Sequence, residues 1–142
     1  LGADKENTFD LISGEDINRV LKDEKGVINI QGPNAALHIH EIKHVALSLA
    51  SEKGMEFNSS GFLKPTSPSG FLDEMAGYKA QYAYEPSSID GSISKGSDIN
   101  IQFLANIKDS NGNLLYPAIF QRYQNQLKQM RINKSNQKKN GQ

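Results

Sequence analysis

The sequence predicts a small α+β fold that is mainly helical, with a short antiparallel sheet packed on one central helix. A segment around residue 40 is apolar on almost every face at helical spacing, which is typical of a buried helix. The preceding stretch "VINIQ" (27–31) alternates branched and polar residues as a short strand does. With 142 residues and 37% hydrophobic content, the chain suits a loop-rich domain with a single core.

The first elements follow from their terminal residues. We expect residues 1–12 to form an irregular entry segment that is anchored by its apolar side chains. The next stretch, "SGEDINRVLKDEKG" (13–26), predicts a helix with Ser13 as its N-cap and Gly26 at its C-terminus. The strand at 27–31 comes directly after it.

The central helix is predicted over residues 35–52. Gly32-Pro33 ends the preceding strand, Asn34 is a favoured N-cap, and Gly54 stops the helix. Because this helix is apolar nearly all round, each polar side chain inside it needs a structural or functional reason to be there.

Two further helices follow a loop that is rich in Gly, Ser and Pro. The stretch "FLDEMAGYKAQYAY" (71–84) predicts one of them, with Ser67 or Ser69 as its N-cap. A shorter helix is expected at about 98–107, capped by Ser97.

The C-terminal part combines a turn, a helix and a tail. "KDSNGN" (108–113) predicts a turn, and a final helix is expected over 117–131. From Lys128 onward the chain has five basic residues, no acidic residue, and many Asn and Gln. Such a composition buries little apolar surface, so we expect a domain of residues 1–127 followed by a disordered tail at 128–142.

Charge and cysteine content exclude several classes of protein. Sixteen basic and sixteen acidic residues cancel, so the overall charge gives no reason to expect nucleic-acid or membrane binding. The chain has no cysteine, which excludes disulfides, Cys-ligated zinc and thiol catalysis. It has no apolar run of the roughly 18–20 residues that a membrane helix needs, and no signal-peptide pattern. Since the chain begins with Leu1 rather than Met, we expect it to be a piece of a longer protein.

The central helix contains an HExxH sequence, "HEIKH" (40–44). Residues four apart lie on one helical face, about 5–6 Å apart at Cβ, so His40 and His44 can bind one metal ion. Glu41 lies near enough to that face to accept a proton from a water on the ion. His38 is rotated by about 200° from His40, so we expect it to be a packing or supporting residue instead.

A zinc site of this kind needs a third protein ligand and leaves one position for water. All three histidines lie in the central helix, so the third ligand must be a carboxylate. Glu74 is the best candidate, because it opens the next helix and shares a face with Tyr78 and Gln81. Asp73 points about 100° away and is the alternative. Three other carboxylates fit less well: Glu52, Glu56 and Glu85.

Two tyrosines of the same helix are candidates for stabilising the oxyanion of a tetrahedral intermediate. They are Tyr78 and Tyr82, whose hydroxyl groups could donate a hydrogen bond to it. Packing in the core is the alternative role for both.

The motif pair "HEIKH" and "DEMAGYKAQ" resembles the gluzincin zinc metallopeptidases. More narrowly, it resembles the small metallopeptidase domains at the C-termini of bacterial polymorphic toxins and Rhs-type effectors, which carry HExxH and then an E-x-x-A-Y-x-x-Q-like helix. The resemblance covers about residues 27–84, with Gly77 where alanine is common. "IKDSNGNLLY" (107–116) is similar to a turn found late in such domains. The lack of a third histidine after the motif excludes the metzincin pattern.

The resemblance implies a zincin-like core with Zn²⁺ on His40, His44 and Glu74, and Glu41 as the base. It implies that the strand at 27–31 lines the cleft and pairs with an extended peptide. It also implies a secreted or delivered bacterial effector with a protein or peptide substrate and a cognate immunity protein.

Two other functions compete with this interpretation. A non-catalytic binding domain would bind no zinc and would tolerate substitution of Glu41. A nucleic-acid-directed toxin that uses the basic C-terminal half would bind with a steep dependence on salt.

Overall fold

The computed structural model describes residues 6–14, 17–67 and 70–140. About 50% of the chain is helical and a small mixed sheet completes it, which confirms the predicted α+β class. The chain divides into two compact units, Leu1–Gly96 and Ser97–Gln142. This division lies inside the predicted domain of residues 1–127, whose extent stays a prediction.

Within the described ranges, three strands form one sheet in the first unit. They are β1 (Phe9–Ile12), β2 (Arg19–Lys22) and β3 (Ile28–Gln31), in the order β1-β3-β2. β2 pairs with β3 antiparallel, but β1 pairs with β3 in parallel. The sheet is therefore mixed rather than antiparallel as predicted, because a segment expected to be irregular joins it as a strand.

The predicted helix over residues 13–26 is wrong. β2 and a tight turn occupy the described part of this segment; residues 15 and 16 lie outside the described residues. Val20 is 5% exposed and lies opposite Ile30 of the central strand. Gly26 has φ +83° and donates its N–H to the Asp23 carbonyl. Burying Val20 on the sheet outweighs a helix propensity that amounts to only tenths of a kcal/mol per residue.

β3 is the central strand and its two edges are already hydrogen-bonded to β1 and β2. The predicted pairing of this strand with an extended peptide is therefore wrong, because neither edge is open. The outer edge of β2 is also covered: Lys22 N–H donates to the Gly61 carbonyl at 2.9 Å, and Leu63 N–H donates to the Val20 carbonyl at 3.2 Å.

The central helix, α1 (Ala35–Ala50), is confirmed and ends two residues earlier than predicted. Asn34 caps it, because its side-chain oxygen accepts the Leu37 N–H at 3.0 Å. One face of α1 packs on the sheet and forms the core of this unit, whose buried members are Val20, Ile28, Ile30 and Val45. Another face packs against the next helix.

That next helix, α2 (Phe71–Tyr84), has the predicted bounds. Its N-cap is Gly70, with φ +73° and no side-chain cap, so the prediction of Ser67 is wrong; Ser69 lies outside the described residues. The carboxylate of Asp73 instead accepts the N–H and the hydroxyl of Thr66, both at 2.8 Å. This contact ties the preceding loop to α2. A 3₁₀ turn at Pro86–Ser88 follows the helix.

The second unit begins with the short helix α3 (Ile101–Asn106). Asn100 is its N-cap and accepts the Phe103 N–H at 3.0 Å, so the predicted cap at Ser97 is wrong. The predicted turn at 108–113 is confirmed by the bond from the Asp109 N–H to the Asn113 carbonyl at 2.8 Å.

The final helix, α4 (Pro117–Asn140), runs well beyond residue 131, where we expected it to end. Residues 128–140 are therefore helical and exposed where we expected disorder, and residues 141 and 142 of the predicted tail lie outside the described residues. No Pro or Gly interrupts this stretch, and side-chain amides four apart bond to each other, as Gln129 does with Asn133. Among the helices of the described residues, none is long and apolar enough to cross a membrane.

Candidate metal centre

The candidate site lies between α1 and α2. α1 places His40 and His44 one turn apart, with their ring centroids separated by 5.0 Å. The side chains are 6% and 13% exposed. The spacing of four residues, read from the sequence, therefore brings both imidazoles to the same face of the helix.

Glu74, in the first turn of α2, faces both rings. Its Oε2 lies 3.1 Å from His40 Nε2, and its Oε1 lies 3.2 Å from His44 Nε2. One ligand atom from each of the three residues falls within 4.8 Å of the other two. Two imidazole nitrogens and a carboxylate oxygen are donors that divalent transition metals accept, so this cluster could hold a metal ion.

The electrostatics of the cluster favour a positive charge between its members. Burial alone would raise the pKa of Glu74, but hydrogen bonds from His40 and His44 outweigh it and hold that pKa far below its ordinary value. Burial would likewise lower the pKa of His44, yet the bond to Glu74 and the nearby carboxylates raise it. Both shifts act in the same direction, since each favours the charged form of its group.

Glu41, between the two histidines, is only 8% exposed. Burial raises the pKa of its carboxyl group, and the charges of His44 and His40 offset part of this rise. A raised pKa makes a carboxylate a better proton acceptor near neutral pH, which is the property that a general base needs.

His40 has a second polar contact, on the opposite side of its ring. Its Nδ1 lies 3.0 Å from Gln81 Oε1, and the Gln81 amide in turn contacts Ser88. The i, i+7 spacing from Glu74 correctly predicted that Gln81 lies on the same face of α2 as Glu74. No role for Gln81 was predicted from the sequence. Ser88 could not be found from the sequence, since no local pattern relates the 3₁₀ turn after α2 to a histidine in α1.

The ring of His40 packs tightly against α2. A Cβ on Gly77 would lie 2.8 Å from His40 Nε2, so the ring sits on the bare backbone of this glycine. Tyr78 is 8% exposed and meets the ring edge-on, with centroids 4.4 Å apart. Tyr78 thus forms a wall beside His40, while the predicted oxyanion roles of Tyr78 and Tyr82 stay predictions.

The remaining candidates from the sequence lie outside the cluster. His38 Nε2 lies 2.9 Å from the Ile12 carbonyl, so its ring links α1 to the end of β1, in line with the predicted rotation. The carboxylate of Asp73, the alternative third ligand, bonds to Thr66 and Ser67 instead. Three other carboxylates are exposed and are not part of the cluster: Glu52, Glu56 and Glu85.

A cavity of about 410 Å³ opens beside α1, lined by both α1 and the loop that leads to α2. Ser48 belongs to its lining and follows His44 by four residues, hence on the same helical face. The cavity does not include the three cluster residues. The cavity therefore reaches α1 one helical turn beyond His44 and is not part of the cluster.

No family model, no curated protein and no solved structure matches this chain. The candidate metal centre therefore rests on the geometry of its own residues.

Proposed function

We propose that this chain is a zinc-dependent peptidase, the toxin domain of a secreted bacterial effector. The observation that supports it is the convergence of His40, His44 and Glu74 beside the buried carboxyl group of Glu41. The toxin part of the proposal, with a protein or peptide substrate and an immunity protein, rests on the resemblance of "HEIKH" and "DEMAGYKAQ" to effector metallopeptidases.

The donor set fits Zn²⁺. Two imidazoles and one carboxylate are a common ligand set of catalytic zinc, which keeps a fourth position open. When bound, zinc lowers the pKa of a coordinated water toward about 7 and polarises a carbonyl oxygen.

The chain supplies the base and the positioning of its ligands. The Glu41 carboxylate takes a proton from the attacking water and returns it to the leaving nitrogen of the cleaved peptide bond. Its burial and raised pKa suit both transfers. Glu74 approaches both histidines from α2, so the packing of the two helices holds the three ligands together.

Substitution of Glu41 and His40 separates metal binding from hydrolysis. Glu41→Gln should keep about one zinc ion per chain and abolish cleavage of a peptide library, whereas His40→Ala should lose both. Glu52→Gln is the matched control, because this carboxylate is exposed and outside the cluster. Full activity of Glu41→Gln would rule out the proposed mechanism.

A non-catalytic binding domain is the second candidate function. Within the described residues, every buried side-chain nitrogen and oxygen already has a hydrogen-bond partner without any ion. The cluster is therefore also satisfied as a polar network between two helices. This alternative predicts no zinc in carefully purified protein and no effect of Glu41→Gln on partner binding.

A further inference from the structure

We infer that Gln81, oriented by Ser88, fixes His40 in the tautomer that leaves its Nε2 available to a metal ion. Gln81 is a positioning residue in this inference, because it acts only through His40. The inference deepens the proposed function and rests on it where zinc is concerned.

Ser88 orients the side-chain amide of Gln81. Its Nε2 lies 3.4 Å from the Ser88 carbonyl oxygen and 3.2 Å from Ser88 Oγ. A carbonyl oxygen can only accept, and the Ser88 hydroxyl already donates to the Glu85 carbonyl at 2.6 Å. Both Ser88 groups therefore accept from Gln81, which requires the NH₂ end of the amide to face Ser88.

The orientation of this amide determines which nitrogen of His40 carries a proton. With its NH₂ group toward Ser88, the amide presents Oε1 to His40 Nδ1 at 3.0 Å. An oxygen can only accept here, so Nδ1 must carry the ring proton. The neutral ring then has its lone pair on Nε2, the atom that lies 3.1 Å from Glu74 Oε2 in the cluster. A neutral imidazole with this lone pair is the form that binds a metal.

The hydrogen bond between Gln81 and His40 is enclosed by neighbouring residues. Gln81 and His40 are both buried, so water does not readily replace the amide. Gly77 lies against the ring atoms and Tyr78 against its edge, and both restrict rotation of the ring. The Glu74 carboxylate faces Nε2, and a proton shared between them is the one that a metal ion would displace. The Gln81 amide holds the proton on Nδ1, so Nε2 is the nitrogen that remains for the metal.

The experiment compares Gln81→Met with Gln81→Glu, with Gln102→Met as the control at an exposed helical glutamine. Nitrogen-15 NMR of the metal-free protein at alkaline pH reports the tautomer of His40. Competition with a chelator reports the zinc dissociation constant. We expect Nδ1–H in the unsubstituted protein and in Gln81→Glu, and Nε2–H in Gln81→Met. Loss of such a supporting hydrogen bond costs roughly 10- to 100-fold in metal affinity, which we expect for Gln81→Met alone.

An identical tautomer in the unsubstituted protein and Gln81→Met, or an unchanged zinc affinity in that variant, would overturn the inference. If Gln81→Met does not fold, Gln81→Glu decides the question: its carboxylate can still accept from Nδ1, so a loss of Nδ1–H or of zinc affinity in this variant would overturn the inference. A protein that binds no zinc but shows the Gln81-dependent tautomer would contradict the peptidase proposal and leave the positioning of His40 by Gln81 intact.

Discussion

At the scale of single residues, the candidate site depends on how closely α2 approaches His40. Gly77 departs from the alanine common in the resembling motif, and the structure gives a physical reason. A Cβ at this position would lie 2.8 to 3.1 Å from three atoms of the His40 ring. The glycine thus permits a helix-to-ring contact that alanine would prevent at the same separation.

Gly77→Ala should weaken metal binding even though alanine favours a helix by roughly 0.5–1 kcal/mol. The added methyl group must displace the His40 ring from Gln81 and Glu74, so we expect a loss of zinc affinity on the order of tenfold. Gly91→Ala is the control, because nothing lies within 4 Å of the Cβ it would add. Chelator competition measures both, and equal zinc affinities in the two variants would contradict the packing argument.

The raised pKa of His44 and the lowered pKa of Glu74 predict opposite effects of pH on the metal-free and metal-bound protein. The His44 contribution to stability is complete below its ordinary pKa of 6.5 and is lost as pH rises through the raised value. The Glu74 contribution is present above its ordinary pKa of 4.5 and is lost as pH falls through the lowered value. Zinc needs an unprotonated His44, so its affinity should increase with pH.

We therefore expect the rise in melting temperature caused by zinc to grow as the pH increases above 6.5. Over the same range, the metal-free protein should lose stability. Thermal unfolding with and without zinc across this range measures both trends. A zinc-induced shift that is constant with pH would show that His44 does not exchange a proton for the metal.

The three residues of the cluster could be predicted from the sequence, but the residues that hydrogen-bond to them could not. His40 and His44 follow from spacing within one helix, and Glu74 follows from its position at the start of the next. The supporting contacts depend on where separate segments meet. Ser88 contacts Gln81 only because the chain turns at Pro86–Ser88. No periodic pattern in the sequence predicts this contact.

At the scale of elements, three turns share one sequence pattern and one set of hydrogen bonds. The pattern is Asp or Asn, two residues, then Gly, at 23–26, 58–61 and 109–112. In each, the first side chain accepts the backbone N–H groups two and four residues later, and the glycine has positive φ. The first turn was mistaken for a helix end because a positive-φ glycine also closes helices. Whether such a glycine ends a helix or forms a turn between strands depends on whether the segment before it pairs with a distant strand.

Gly61→Ala should destabilise the protein more than Gly26→Ala. Both glycines have similar φ, +88° and +83°, so alanine should cost roughly 1–2 kcal/mol in strain at each. Only at Gly61 would the added Cβ also lie 2.7 Å from a backbone atom, the Lys22 carbonyl oxygen. This contact would break the bond that joins the turn to β2.

Urea unfolding measures the two losses of free energy, and Gly26→Ala serves as the matched control within the same unit. Equal losses would mean that the hydrogen bond between Lys22 and Gly61 contributes nothing measurable to the sheet.

At the scale of the whole molecule, the candidate site and the basic tail belong to different units of the chain. The three cluster residues all lie in the unit Leu1–Gly96, on two adjoining helices. Local periodicity predicted both of these helices. The parallel pairing of β1 with β3 was not predicted, because it depends on a long-range contact. The length of α4 was not predicted either, because it depends on the absence of any residue that ends a helix.

Shortening the chain to residues 1–127 should leave the candidate site unchanged. Residues 128–140 are exposed along their whole length, so their removal takes no buried side chain out of the protein. We expect the same zinc affinity and melting temperature, with a lower helical signal in circular dichroism because part of α4 is gone. Charge reversal of the tail in the full chain, such as Lys134→Glu with Lys138→Glu, is the matched test that keeps its length. A marked loss of zinc affinity in either variant would show that the tail supports the metal centre, and the functional domain would then extend beyond residue 127.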